Sequence, residues 1–265
     1  MYLGIDLGTQ SVKVILVDES GRVIRTAKEK YPIHRPQPDH VEQNPDEWWG
    51  ATINAVQSAT RHYTDQIKGI GVAGQMHGVV LLDKAHQPLR PAIIWMDQRS
   101  SVEVQQRTAA EWLEMAYNPL TPGMTLASLL WLKKHEPATC DAIATILLPK
   151  DWIRYKLTGS LCTELSDASG GFLLDLPRQT WSLELLALCE LIPAQLPHLM
   201  RSTDVAGELI SPAADVLGLP KLIPVCAGAA DQAAMLVGSG VLNPGDAALT
   251  IGTGGQMSIV TDVPR

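Results

Sequence analysis

The chain has 265 residues, 46% of them hydrophobic and 18% charged, with a formal net charge of −7. That length buries one large core or two small ones, and an acidic balance with no Lys/Arg cluster argues against a nucleic-acid partner. The sequence has no apolar run of membrane-spanning length and opens on a strand with no basic leader, so a cytoplasmic protein with no membrane partner is expected.

Tyr2–Leu7 reads as an apolar strand, Gly8-Thr9 as a tight turn, and the run through Val17 as a second strand, with a third expected around Arg22–Lys28. Pro32, Pro36 and Pro38 keep the next stretch extended. Asn44-Pro-Asp-Glu47 then starts a helix running to about Tyr63, with Asn44 as cap, Pro45 in the first turn and Glu47 placed to complete a capping box. A strand over Ile67–Ala73 ends in Gly74-Gln-Met-His-Gly78. Val79–Leu82 and Pro91–Trp95 read as strands around a turn at Asp83–Pro88, followed by helices over Ser100–Met115 and Thr125–His135. Ile146–Leu148 is a strand leading into a helix over Trp152–Leu157. Residues 160–215 carry weaker patterning, with helical pieces near 183–190 and 211–218. Ile223–Ala227 is a buried strand feeding Gly228-Ala-Ala-Asp-Gln232 and a small-residue helix to Val237. Strands alternating with helices define an α/β protein.

Asp6 closes the first strand just before Gly8, whose freedom lets backbone N–H groups approach phosphate oxygens, while Thr9 adds a hydroxyl and Lys13 a positive charge. A carboxylate at Asp6 suits a hydrated magnesium ion bridging such phosphates. An ordinary hairpin whose Gly-Thr only makes the turn explains the same residues. The segment Ala248–Val260 repeats the layout around Gly252-Thr253-Gly254, so two such turns would face one phosphate chain from opposite sides. In Gly74–Gly78, at the carboxyl end of a strand, Met76 suits an apolar sugar face and Gln75 and His77 suit hydroxyl groups; a loop held by a structural His is the alternative. Asp231 is placed to accept a hydroxyl proton, or to cap the helix that it opens. Asp97 with Arg99, and Lys150 with Asp151, are polar pairs that serve either as ion pairs or as ligand contacts. The seven tryptophans belong to the core or to a sugar site, and the scattered Cys140, Cys162, Cys189 and Cys226 read as reduced structural thiols.

The two glycine turns resemble the first and second phosphate motifs of the actin-like ATPase superfamily. More narrowly, the chain resembles the amino-terminal domain of the FGGY family of carbohydrate kinases, through Asp6–Lys13, Gly74–Gly78, Ile94-Trp-Met-Asp-Gln-Arg99, Leu129-Leu-Trp131 with His135-Glu-Pro137, Leu147–Asp151, Gly228–Gln232 and Ile251–Gly254. These lie in the family's order and cover nearly the whole chain. The resemblance implies a ribonuclease-H-like domain, a mixed central sheet flanked by helices. It implies Asp231 as catalytic base, with Gln75, Met76, His77, Asp231 and Gln232 at the sugar. It also implies Gly8, Thr9, Gln10, Lys13, Gly252, Thr253 and Gly254 at the phosphates of ATP, and Asp6 serving Mg2+. The implied substrate is a ketopentose, D-xylulose foremost, with ribulose, gluconate or glycerol as alternatives; a sugar-binding fragment without catalysis is a further one.

Three features depart from the family pattern. Gln232 stands where Asn is expected, Ser128 where a Lys is expected, and the chain ends at Arg265 where a second ribonuclease-H-like domain is expected to follow. The resemblance therefore implies a domain over residues 1–245 and, over 246–265, the first hairpin of a nucleotide domain. That hairpin is expected to be frayed or to pair with a second copy, as in a homodimer, and ATP affinity is expected to be weak or absent.

Overall fold

A seven-stranded mixed sheet organises the chain, which the computed structural model describes over residues 1–251 and 255–263. Strands β1 (Tyr2–Leu7), β2 (Ser11–Val17) and β3 (Val23–Lys30) form an antiparallel meander, and β1 runs parallel to β4 (Gly69–Gly74). Beyond β4 lie β5 (Val205–Glu208), β6 (Pro224–Cys226) and β7 (Ala229–Ala230). The order is β5-β6-β4-β1-β2-β3, with β6 and β7 both parallel to β4. The fold is the mixed α/β architecture expected from the sequence.

Alternation decides which face of this sheet is covered. Leu3, Ile5 and Leu7 of β1 and Val12, Val14 and Leu16 of β2 are buried, while Asp6 and Lys13 point the other way and reach solvent. Helix α1 (Pro45–Thr60) lies on the apolar face and buries Trp48, Thr52, Ala55, Val56 and Ala59, residues at helical spacing. Helices α2 (Pro149–Thr158) and α3 (Ser211–Leu217) join the same core through Trp152, Ile153, Leu157 and Leu217. A second core gathers Val79, Ile93, Trp112, Leu129, Ile146 and Phe172, so the length is spent on two cores rather than one.

Several elements differ from the sequence expectation. Asn44 caps α1 by accepting from the Asp46 N–H, but Glu47 pairs with His34 (3.0 Å) instead of closing a capping box, and α1 stops at Thr60. The single helix expected over Ser100–Met115 is two, Ser101–Val104 and Ala109–Ala116. The second has its own capping box, in which Thr108 and Glu111 bond reciprocally, and that cap restarts the helix. The weakly patterned 160–215 region holds short pieces, among them helix α4 (Leu165–Gly170) and a strand at Cys162–Glu164. The strand expected over Ile223–Ala227 is present as β6, and the Gly228 turn after it leads into the further short strand β7. The φ of Gly228 is +89°, and an added Cβ there would meet the Val72 carbonyl oxygen at 2.0 Å. Only glycine turns the chain that tightly against β4 before it re-enters the sheet as β7. Strands β8 (Ala247–Ile251) and β9 (Gly255–Ile259) pair with each other and, among the described residues, with no strand of the central sheet.

Candidate functional site

The sheet register assembles the site. Across the parallel strands, Asp6 is level with Ala73 and Leu7 with Gly74, while Ala73 is level with Ala229 and Gly74 with Ala230. Asp6, the turn after Gly74 and Asp231 after Ala230 therefore leave the sheet at one carboxyl edge, where open α/β sheets place ligands. Beside that edge a cleft of about 650 Å³ takes in Asp6, Lys13, Ser202, Thr203, Gly228 and Asp231.

Asp231 is the first residue of helix α5 (Asp231–Gly238), and its Oδ1 accepts from the Gln232 N–H at 2.7 Å. Its carboxyl is raised above the usual range chiefly by burial. The Gln232 N–H opposes that shift and the neighbouring Asp6 charge reinforces it, which makes Asp231 the stronger base. Asp6 is raised too, because the protein crowding its flanks outweighs the attraction of Lys13. Two mutually repelling carboxylates at one cleft are a donor set that fits a divalent cation. Among the described residues no group of three or more His, Cys, Asp or Glu is arranged to hold a metal ion, yet Mg2+ needs only one or two carboxylates beside phosphate and water.

The Gly8-Thr9 turn is held from three sides. The Tyr31 hydroxyl donates to the Gly8 carbonyl, Gln43 Nε2 donates to the Thr9 carbonyl (2.7 Å), and Trp95 Nε1 donates to Thr9 Oγ1 (2.9 Å). Because Thr9 Oγ1 accepts from Trp95, its own hydrogen is free to be donated outward, as a phosphate oxygen requires. Gln10 and Lys13 are exposed beside it. Gly252, Thr253 and Gly254, the second expected phosphate turn, lie outside the described residues.

Met76 and His77 are half-buried, and His77 has φ +71°, a left-handed conformation uncommon for a non-glycine residue. Two contacts impose it. His77 Nδ1–H donates to the Gly170 carbonyl (2.7 Å), and Thr125 Oγ1 donates to the His77 carbonyl (2.9 Å). Nε2 is then the acceptor, and burial keeps the imidazole neutral by lowering its pKa. A Cβ on Gly170 would sit 2.8 Å from Met76 Cε. Helix α4 links this turn to Asp231: Ser166 Oγ accepts from the Ala230 N–H (3.0 Å), and Gly170 holds His77 about 6 Å further along the helix.

Gln75, expected at the sugar, is 1% exposed and turned inward, its Nε2 donating to Gln43 Oε1 at 2.9 Å. Gln232 remains a candidate ligand, since its Oε1 is buried with no partner among the described residues. The two polar pairs are ion pairs of the interior. Arg99 binds Asp97 and Glu42, all buried, beneath the Trp131 ring. Lys150 binds Asp151 at 2.7 Å within a cluster that also holds Arg154, Glu164 and Asp167. Ser128 is buried in the helix Thr125–His135, with Oγ unpaired among the described residues. Trp48, Trp112 and Trp152 belong to the cores, whereas Trp95 is 46% exposed. All four cysteines are free. Tyr31 and Gln43 were not expected at the site, and Trp95 was signalled only by its place in the Ile94–Arg99 motif, with no contact to Thr9 expected.

Residues 1–238 match the model of the "FGGY family of carbohydrate kinases, N-terminal domain", and the chain belongs to that family. It is 41% identical to a xylulose kinase of Klebsiella pneumoniae, over 99% of this chain and 55% of that protein. The solved xylulose kinase of Rhodospirillum rubrum superposes with a TM-score of 0.91 at 32% identity, over 96% of this chain and 54% of the other. A gluconate kinase from Lactobacillus acidophilus superposes with a TM-score of 0.93 at 25% identity, over 97% and 53%. The chain thus spans about half the length of the curated relatives it matches.

Proposed function

We propose that this chain is the sugar-binding lobe of an ATP-dependent kinase of the xylulokinase type, which phosphorylates D-xylulose at O5. The observation that carries this is the register: one sheet edge presents Asp231, the Thr9 turn and the Met76–His77 turn together. Met76 covers an apolar face of the sugar, and His77 Nε2 and Gln232 Oε1 accept hydrogen bonds from its hydroxyls. Asp231 takes the proton of the attacking hydroxyl as the oxygen approaches the γ-phosphorus of ATP. Thr9 and the neighbouring N–H groups hold phosphate oxygens, and Lys13 adds positive charge. Asp6 would hold Mg2+ through water, with Asp231 nearby, and the ion would supply charge neutralisation for the phosphates. Positioning and charge neutralisation carry catalysis of this kind, so a second wall is needed for full activity. Residues 246–265 are assigned to the start of that wall, supported by the family match ending at residue 238 and the separate hairpin. Alone, residues 1–265 bind the sugar and have weak or no ATP affinity.

The fold does not select the sugar, because the gluconate kinase superposes as well as the xylulose kinase; the Gln-Met-His-Gly turn is what favours the ketopentose. Calorimetric titration of the chain with D-xylulose, ribulose, gluconate and glycerol tests this. D-xylulose should bind tightest, with the binding lost in His77→Leu. Tighter binding of another sugar, or D-xylulose binding indifferent to His77, overturns the assignment. Micromolar ATP binding by the chain contradicts the need for a second wall.

A further inference from the structure

Gln43 belongs to no site motif and is 0% exposed, yet all four hydrogen-bonding positions of its amide are used. Nε2 donates to the carbonyls of Thr9 (2.7 Å) and Pro32 (3.3 Å), and Oε1 accepts from Trp48 Nε1 (3.2 Å) and Gln75 Nε2 (2.9 Å). Two of these partners belong to different parts of the site. Thr9 is the phosphate turn, and Gln75 directly precedes Met76 and His77. A second tie fixes the same geometry, because the Gln75 N–H donates to the Leu7 carbonyl (2.8 Å), two residues before Thr9.

A saturated amide in a closed core has no slack. If the Gln75 side chain moves, Gln43 must follow it or lose a bond that nothing else replaces, and the Thr9 carbonyl moves with Gln43. Gln75 has reason to move, because its Oε1 is buried without a partner among the described residues. It is therefore the member of the chain whose hydrogen bonding improves when hydroxyl groups arrive at the sugar turn. Trp48, which anchors Gln43 from below, is an immobile core residue of α1.

We propose that Gln43 is a positioning residue that couples the sugar turn to the phosphate turn, so that a bound ketose orients the Thr9 turn and tightens its hold on a polyphosphate. This rests on the sugar-kinase assignment above. The coupling is reciprocal, as any linkage between two binding sites must be.

The test uses the 265-residue chain, D-xylulose, and inorganic tripolyphosphate as the phosphate probe. In the wild type, saturating D-xylulose should tighten tripolyphosphate binding by about tenfold, and D-xylulose alone should shift the Thr9 backbone amide signal in a ¹⁵N NMR spectrum. In Gln43→Leu and in Gln75→Met the tightening factor should fall to one, and the Thr9 signal should no longer respond to sugar while the His77 signal still does. A merely structural role would lower stability without removing the Thr9 response. Should Gln43→Leu fail to fold, Gln75→Met decides, since it leaves the Gln43–Thr9 bond in place. A coupling factor of one in the wild type, or coupling retained in Gln75→Met, overturns the proposal while leaving the sugar-kinase assignment standing. Failure of the wild type to bind D-xylulose overturns both, whereas failure to bind tripolyphosphate overturns the coupling alone.

Discussion

Asp167 lies in a sealed cluster where two cations, Lys150 and Arg154, face three carboxylates, Asp151, Glu164 and Asp167. Neither oxygen of Asp167 has a hydrogen-bond partner among the described residues, and Lys150 Nζ is 3.4 Å from Oδ2. Burial dominates and the two neighbouring carboxylates add to it against Lys150, so the Asp167 carboxyl is pushed up to about 8 from 3.8. A folded-state pKa above the unfolded one means a stabilising contribution that is full below pH 4 and is lost as pH rises through 8. Asp167→Asn removes that titration while keeping the shape. Between pH 5 and pH 8 the wild type should lose roughly 1 kcal/mol per pH unit relative to the variant, a few kcal/mol in all, with no further divergence above pH 8. Urea unfolding of both proteins at each pH, followed by circular dichroism, measures the gap directly. Parallel stability curves for wild type and variant across this range would refute a buried, protonated Asp167.

Gly228→Ala combines a left-handed backbone with a Cβ 2.0 Å from the Val72 carbonyl oxygen. It should cost roughly 2–5 kcal/mol in urea unfolding, and an unchanged midpoint would contradict the tight turn between β6 and β7. Gly170→Ala places a Cβ 2.8 Å from Met76 Cε and 3.2 Å from the His77 ring. D-xylulose affinity should drop at least about tenfold in calorimetry with the thermal midpoint little changed, and full affinity would separate Gly170 from the sugar turn. His77 is neutral because burial lowers its pKa below 6.5, so its stabilising contribution is present above that value and is lost as pH falls through the folded pKa. D-xylulose affinity should accordingly be level from pH 8 to 6.5 and weaken only below, and a fall between pH 8 and 7 would argue against a neutral acceptor at Nε2.

What could be read from the sequence was whatever obeys a local period or cap. The β1–β2 hairpin announces itself because Leu3, Ile5 and Leu7 alternate with residues of the open face, and α1 because Asn44-Pro45 precedes apolar residues at helical spacing. Asp6, Met76, His77 and Asp231 are legible as candidates because each sits in a short motif at a strand end, and the register brings those strand ends to one edge. The restart of the helix at Ala109 was encoded as well, in the Thr108–Glu111 box, but the apolar pattern on either side hid it. The contacts of Gln43 and Trp95 with Thr9 were out of reach, since they span 34 and 86 residues and no period connects them. The α2 cluster misleads in the opposite sense. Lys150, Asp151 and Arg154 look like the solvated face of a helix and are instead its buried face, because Glu164 balances their charge and Asp167 closes the cluster from a separate segment.

A crystal structure of this chain with D-xylulose tests the central claim most directly, through the distance from the Asp231 carboxylate to the sugar's O5. The account requires a hydrogen bond of about 2.6–3.2 Å there, with Met76 and His77 on the sugar. A sugar bound away from these residues, or one presenting a different hydroxyl to Asp231, would contradict it.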